Sequence, residues 1–211
     1  MSGRNQGVML PRVYSEFERI CTRRRVGGAV LEVGAVPSDA SLLCMKSLRN
    51  ATEKIGLNVE GPAAYRDFKI LRGNTNCMDC FEDSRFDAVL CNATLEHDPY
   101  FWKSIAEMKR VTKPGGLIVI GTPGYVWLPL ERLKLRLQGL QRIPLVRRIL
   151  AHENMLWLLR GTLTIDVHDA PGDYYRFSLQ TFREVFFDGM RDVEVFSVLV
   201  PPIIIGSGIK P

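Results

Sequence analysis

The chain has 211 residues, 46% of them hydrophobic and 24% charged, as expected for one globular domain with a sizeable core. Its 28 basic and 23 acidic residues leave a formal net charge of +5, a mild excess that gives little support to an anionic partner. The five cysteines are too few for a disulfide scaffold. No apolar run approaches the roughly 20 residues of a membrane span, and none resembles a signal peptide, so we expect a cytoplasmic protein.

The predicted elements begin with a short amphipathic helix over residues 11–24, in which Val13, Phe17 and Ile20 share one face. Three later runs are almost continuously apolar, as in the strands of a parallel sheet that is buried on both faces. These runs are residues 29–33, 87–92 and 116–123. Parallel strands need helical crossovers between them, so an α/β fold is expected.

The segment between the last two runs predicts a helix, with Asp98 as its cap and Pro99 in its first turn. Strand, helix and strand at this spacing form a right-handed βαβ unit. The C-terminal residues 192–208 predict two strands joined closely enough to be antiparallel. The prediction is a single Rossmann-like α/β domain over residues 1–211, with a doubly wound, mostly parallel, seven-stranded sheet and an antiparallel last strand.

Residues 126–160 interrupt this alternation and predict a helical insertion that Pro144 divides in two. Six bases and one acid lie between residues 131 and 148. The insertion is interpreted either as a lid over the carboxyl edge of the sheet or as a helix pair with a solvated basic face. An anionic membrane surface or a protein partner is a further possibility for this segment.

In open α/β sheets, ligands bind beyond the carboxyl ends of the strands, where the strand order reverses. The residues at these predicted strand ends are therefore the candidate site, which is rich in Asn and Thr and almost free of charge. They are Gly34, Ala35, Val36, Asn58, Asn74, Thr75, Asn92, Ala93, Thr122 and Pro123. Such a set suits a polar, weakly charged ligand better than a triphosphate.

The block "FDAVLCNATLEHDPYFWKSIAEMKRVTKPGGLIVIGTPG" (86–124) resembles the centre of class I S-adenosylmethionine-dependent methyltransferases. It is most similar to small-molecule and sugar-modifying members, which have "LEH" after the fourth strand and "KPGG" before the fifth. The spacing from "EVG" (32–34) to Asp87 fits the same family, and so does the tail over 173–211. The resemblance implies S-adenosylmethionine as cofactor and methyl transfer to a small molecule, such as a sugar or glycan-precursor hydroxyl or amine.

By matching position, the resemblance implies that Glu32 holds the amino end of the methionine moiety and that Gly34 allows close backbone approach. Asn92 would offer its backbone carbonyl to the same ammonium group. The chain departs from the family in the loop after the first predicted strand, where Val36 and Ser38 stand in place of the family's second and third glycines. The same missing glycines argue against a nicotinamide-dependent oxidoreductase, whose cofactor has a pyrophosphate.

Two further departures replace carboxylates by amides. Asn58 stands where the family has an acid on the ribose hydroxyls, and Asn74 stands where it has an acid facing the adenine. Each exchange weakens binding by roughly 1 kcal/mol, because a neutral acceptor is weaker than a charged one. We therefore expect a weakened cofactor site rather than an abolished one.

The candidate catalytic bases are Glu96, His97, His168 and Asp173. On the acceptor side the resemblance implies His97 and His168 with Tyr174 and Arg176 from the "HDAPGDYYRF" stretch. A capping histidine and a structural turn with a buried arginine are the alternative interpretations of these residues.

A second function stays open at this point, a catalytically inactive methyltransferase-like protein that binds a partner through residues 126–160. The lone Cys77 and Cys80 pair does not supply the four ligands of a zinc site, so no metal is expected. The basic run at 23–25 has no interleaved aromatic residues, so nucleic-acid binding is not expected.

Overall fold

One mixed sheet organises the computed structural model, which describes residues 10–126, 162, 164–165 and 172–211. Its eight strands lie in the order β3-β4-β2-β1-β5-β6-β8-β7. They are β1 (Gly28–Val33), β2 (Ala51–Asn58), β3 (Ala63–Tyr65), β4 (Phe68–Arg72), β5 (Phe86–Asn92), β6 (Thr112–Pro123), β7 (Arg191–Val198) and β8 (Ile203–Ile209). Strands β4, β2, β1, β5 and β6 run parallel, whereas β8 is antiparallel to both β6 and β7.

The predicted α/β class and the antiparallel C-terminal strand pair are confirmed. The predicted number of seven strands is wrong for the described residues, which form eight. The additional strand is β3, a three-residue edge strand that pairs antiparallel with β4. Its short sequence, Ala63–Tyr65, has too little periodicity to predict a strand.

Three helical segments cover the two faces of the sheet. Helix α1 (Pro11–Arg24) has the predicted boundaries, and α2 (Phe101–Val111) connects β5 to β6. A short third helix, α3 (Leu179–Thr181), continues directly into a π-helical turn over Phe182–Phe186. None of the described helices is long and apolar enough to cross a lipid bilayer.

The start of α2 differs from the prediction. Tyr100, not Asp98, is its N-cap residue, and Pro99 precedes the helix. The Asp98 carboxylate accepts a hydrogen bond from the Tyr100 backbone amide at 2.9 Å, so Asp98 orders the turn before the helix. The reason is the 3₁₀ turn over Leu95–His97, which takes up the residues between β5 and the helix.

A hydrophobic core lies on each side of the sheet. On one side, Phe17 and Ile20 of α1 pack against Val30, Leu90 and other buried residues of β1 and β5. On the other side, α2 and the π-helical turn cover the alternate residues of the same strands. Because successive strand residues point to opposite faces, two-sided burial requires the continuous apolar runs seen in the sequence.

The connection from β1 to β2 contains no α-helix. Two 3₁₀ turns, Leu42–Cys44 and Lys46–Leu48, fill it instead, with Leu42, Leu43 and Leu48 fully buried. The chain therefore lies close against the carboxyl end of β1. The predicted insertion over residues 126–160 lies outside the described residues, apart from Val126.

Candidate functional site

The strand order reverses at β1, which lies between β2 and β5. Val33 at the end of β1 is level with Leu57 of β2 and with Cys91 of β5. The carboxyl ends of the three strands therefore meet at one edge, as the candidate site requires.

Gly34 begins the loop after β1 in a left-handed conformation, with φ of +82°. A β-carbon built on this residue would lie 2.1 Å from the hydroxyl oxygen of Thr94, in the turn that follows β5. The Thr94 hydroxyl also hydrogen-bonds to the Asn92 carbonyl at 3.1 Å. Glycine is needed here because the two turns on either side of the reversal point pack against each other.

Glu32 is buried, and the loop after β1 surrounds its carboxylate. The Ser41 hydroxyl donates to it, as do the backbone amides of Leu42 at 3.1 Å and Leu43 at 3.4 Å. Burial raises the pKa of Glu32 to about 7, while these hydrogen bonds act in the opposite direction. Its carboxylate stabilises the 3₁₀ turn, and the implied role toward a methionine ammonium stays a prediction.

Asn58 is the last residue of β2, and both ends of its amide bond to the protein. Its nitrogen donates to the Ala35 carbonyl at 2.8 Å, and its oxygen accepts from the Glu60 amide at 3.0 Å. Ala35 is buried against Gly56, whereas Val36 and Pro37 are exposed. Val36 and Pro37 therefore do not fill the interior of this edge.

Asn74 and Thr75 lie in the loop after β4. The Asn74 side chain accepts a hydrogen bond from the Asn76 amide at 2.9 Å, and the hydroxyls of Thr75 and Ser104 of α2 are hydrogen-bonded at 2.6 Å. Ser104 also bonds to the buried Asp98 at 2.6 Å. These contacts tie the loop to α2 and define its position at the edge.

Asn92 ends β5, where its side-chain oxygen is buried and accepts no hydrogen bond from any described residue. A β-carbon on Gly121 would lie 2.6 Å from this oxygen, so the Asn92 amide occupies the space that Gly121 leaves beside it. A buried acceptor without a donor is unusual and is explained by a ligand or a bound water.

His97 and Glu96 lie in the Leu95–His97 turn after β5. His97 is half-buried, and its amide donates to the Thr94 carbonyl at 3.1 Å. Glu96 is completely buried, and neither carboxyl oxygen accepts a hydrogen bond within the described part of the chain. Burial raises the pKa of Glu96 to about 7, and its own backbone amide is the largest opposing influence. The nearby Asp173 carboxylate raises the pKa and Arg176 lowers it to a smaller extent.

Residues 172–177, here called the strap, cross this turn. Tyr174 and Tyr175 both direct their amides to the Glu96 backbone carbonyl, at 2.8 and 3.3 Å. Arg176 forms a bidentate ion pair with Asp173, in which Nη2 lies 2.6 Å from Oδ2, and donates from Nε to the Ile165 carbonyl at 3.1 Å. The pair is almost completely buried, with side-chain exposures of 8% and 2%.

The structure thus brings most of the predicted residues to one edge, but with different surroundings. Tyr174 is 58% exposed beside the buried ion pair, and His168 lies outside the described residues. Sequence reasoning missed Ser41, which bonds to Glu32, and Thr94, which packs on Gly34. The signal for Ser41 was the short β1–β2 connection, which leaves little room for a helix.

An implied S-adenosylmethionine fits this edge in part. The acceptors after β1 and β2 are bonded within the chain, whereas the buried acceptors of Asn92 and Glu96 after β5 receive no hydrogen bond from the described residues. Gly34 keeps its left-handed turn next to them. The β5 side is therefore the part of the edge that can hold a positively charged or hydrogen-bond-donating ligand.

Comparison with known proteins agrees with this architecture. Residues 38–120 match the family described as "Methyltransferase domain". The demethylmenaquinone methyltransferase of Shouchella clausii (strain KSM-K16) is 27% identical over 160 residues, 74% of this chain and 63% of that protein. Over these residues the chain is similar to methyltransferases. An uncharacterized methyltransferase of Mycobacterium sp. (strain JLS) is 32% identical over 108 residues, 48% of this chain and 40% of the relative.

Among solved structures, a SAM-dependent methyltransferase from Aquifex aeolicus superposes with a TM-score of 0.56 at 14% identity. The alignment covers 93% of this chain and 90% of that protein, and at this identity it shows the shared fold. The chain spans 63% and 40% of the lengths of the two curated relatives described above.

Proposed function

We propose that this chain binds S-adenosylmethionine at the carboxyl edge of β1 and β5 and transfers its methyl group to a small-molecule acceptor. The observation that carries the proposal is the buried pair of acceptors after β5, the Asn92 amide oxygen and the Glu96 carboxyl, beside the left-handed Gly34. No described residue donates a hydrogen bond to either group. They lie where the strand order reverses, which is the ligand-binding point of open α/β sheets.

When bound, S-adenosylmethionine supplies a methyl group already activated by its sulfonium. The protein then has to bind, orient and exclude water, which a well-formed site can do without a covalent intermediate. Asn92 would hold the ligand from the end of β5, and the Gly34 backbone would approach it from the end of β1. Tyr174 and His97 would face the acceptor from the strap and the Leu95–His97 turn.

For the methyl acceptor, the proposal specifies only the class, which is a small molecule. The Shouchella clausii relative carries the name of a demethylmenaquinone methyltransferase, which supports testing a quinol ring. Exposed Tyr174 beside the site also suits a sugar or aromatic ring, because a tyrosine face packs well against either.

Calorimetric titration with S-adenosylhomocysteine tests the cofactor site directly. We expect binding, weakened by the neutral Asn58 and Asn74, and a further several-fold loss in Asn92→Ala. Asn50→Ala changes an exposed amide far from this edge and serves as the matched control. The absence of heat and of any thermal shift at millimolar ligand contradicts the proposal.

Activity is measured as S-adenosylhomocysteine release in the presence of demethylmenaquinone, neutral sugars and amino sugars. Acceptor-dependent release supports methyl transfer to that class. Cofactor binding with no release for any acceptor of these classes contradicts the proposed activity toward them.

A catalytically inactive binding protein is the second candidate, and one observation favours it. Glu32 and Asn58, two of the residues implied to hold the cofactor, are hydrogen-bonded to the loop after β1. If their rigid arrangement excludes the cofactor, the titration gives no heat although the protein is folded.

A further inference from the structure

Among the described residues, none donates a well-formed hydrogen bond to the Glu96 carboxyl, although its own backbone amide lies close enough to lower its pKa. Two backbone amides of the strap, from Tyr174 and Tyr175, bond to the Glu96 backbone carbonyl and not to its side chain. Arg176 directs its guanidinium to Asp173, to the Ile165 carbonyl and to the Tyr175 carbonyl. A buried carboxylate normally receives hydrogen bonds or an ion pair, so this one requires a separate explanation.

Among the described residues, the charges around Glu96 do not balance once Glu96 is ionised. Asp173 and Arg176 carry opposite charges and form a bidentate pair, so the Glu96 carboxylate adds a negative charge in a buried environment. Electrostatic attraction is strong in such surroundings and acts over several ångströms without direct contact. The arrangement is complementary to a ligand with a positive charge.

The turn that holds Glu96 is fixed at the reversal point. Thr94, two residues earlier, packs directly on Gly34, and Cys91 of β5 is close enough for Glu96 to raise the pKa of its thiol, although burial is the larger cause. The surplus charge therefore lies beside the edge at which the proposed ligand binds.

A sulfonium differs from most biological cations because it carries a positive charge without any N–H or O–H group. A carboxylate that receives no hydrogen bond can still attract such a cation. An ammonium group, in contrast, is best recognised by a carboxylate that it can reach with hydrogen bonds. Glu96 is completely buried and does not offer such a contact.

We propose that Glu96 is a charge-recognition residue that makes the site prefer the sulfonium of S-adenosylmethionine to the neutral thioether of S-adenosylhomocysteine. This inference rests on the proposed function. The preference favours entry of the methyl donor and release of the demethylated product, because the attraction ends when the sulfonium loses its methyl group.

Calorimetric titration of S-adenosylmethionine and S-adenosylhomocysteine into the full chain at pH 6 and pH 8.5 tests the proposal. In the wild type at pH 8.5 we expect a preference of about tenfold for S-adenosylmethionine, equivalent to one pKa unit of coupling. The preference should fall at pH 6, where Glu96 is protonated. In Glu96→Gln the two ligands should bind within about twofold at both pH values.

Other titrating groups must be separated from Glu96. Asp173 and Arg176 face it from the strap, Cys91 from β5, and His97 follows it in the same turn, while Glu32 lies close enough to affect Cys91. A pH trend from His97 or Glu32 would persist in Glu96→Gln. Glu184→Gln, which removes an exposed carboxylate from the π-helical turn, is the matched control and should keep the wild-type preference.

An unchanged preference in Glu96→Gln overturns this inference and leaves the proposed function standing. Equal affinity for the two ligands in the wild type at pH 8.5 also overturns this inference and leaves the proposed function standing. Failure of both ligands to bind contradicts the proposed function itself. If Glu96→Gln does not fold, as judged by circular dichroism, the pH dependence of the wild-type preference decides, and a preference independent of pH overturns the inference.

Discussion

Glu32 and Glu96 are buried glutamates on the two sides of the reversal point, and burial raises the pKa of each to about 7. On the β1 side, the Glu32 carboxylate accepts hydrogen bonds from Ser41, Leu42 and Leu43. On the β5 side, Glu96 receives none from the described residues. The same residue type therefore stabilises the fold on one side and is available for ligand recognition on the other.

This difference has a structural origin in the two connections. The β1–β2 connection folds back as 3₁₀ turns, which direct backbone amides at the end of β1. The strap approaches β5 from a distant part of the chain and uses its amides on the Glu96 backbone. Hydrogen-bond donors nearby in the chain thus bind a carboxylate for which the sequence resemblance implies a role toward the cofactor.

The largest effect is expected at Gly34, where the turns after β1 and β5 pack against each other. Gly34→Ala should destabilise the protein by about 2–4 kcal/mol, because the new β-carbon strains a left-handed residue and collides with Thr94. Urea unfolding measures this change. Gly27→Ala, where no heavy atom lies within 4 Å, is the control and should stay within about 0.5 kcal/mol of the wild type. Equal stability of the two variants would show that the turns do not pack as described.

The next prediction concerns the β1 side. Glu32→Gln should lower the free energy of unfolding by about 1–3 kcal/mol at pH 4, where Glu32 is protonated in the native state and its raised pKa costs little stability, because the new amide group faces donors and leaves one of them unpaired. Urea unfolding beside the exposed control Glu184→Gln measures it. Ser41→Ala should lose less, since it removes only one of the donors. A neutral effect of Glu32→Gln would mean that Glu32 is not a structural residue.

The smallest effect is expected on the β5 side and has the opposite sign. The raised pKa means that native Glu96 keeps its proton between about pH 4.5 and 7 while the unfolded chain loses it, so stability falls as pH rises through this range. Glu96→Gln removes that loss and should be about 1–2 kcal/mol more stable than the wild type at pH 8, with no such gain at pH 4. Thermal or urea unfolding across this pH range measures the difference. A destabilised Glu96→Gln at pH 8 would place Glu96 with Glu32 as a hydrogen-bonded structural residue.

Much of the fold was predictable because it depends on local patterns. The continuous apolar runs of β1, β5 and β6 and the amphipathic periodicity of α1 reflect burial on one or both faces, which each segment encodes by itself. Strand β3 could not be predicted, because a three-residue edge strand has no periodicity of its own and forms only by pairing with β4.

The sequence by itself determined the α/β class, the antiparallel C-terminal pair and the edge of the sheet at which polar residues gather. Only the tertiary structure decided which of those residues are already bonded within the chain. Hydrogen bonds such as those from Ser41 to Glu32 and from Asn58 to Ala35 join segments that lie apart in the chain. The lack of any described donor to Glu96 likewise depends on how the strap crosses its turn, and no spacing of residues in the sequence records that geometry.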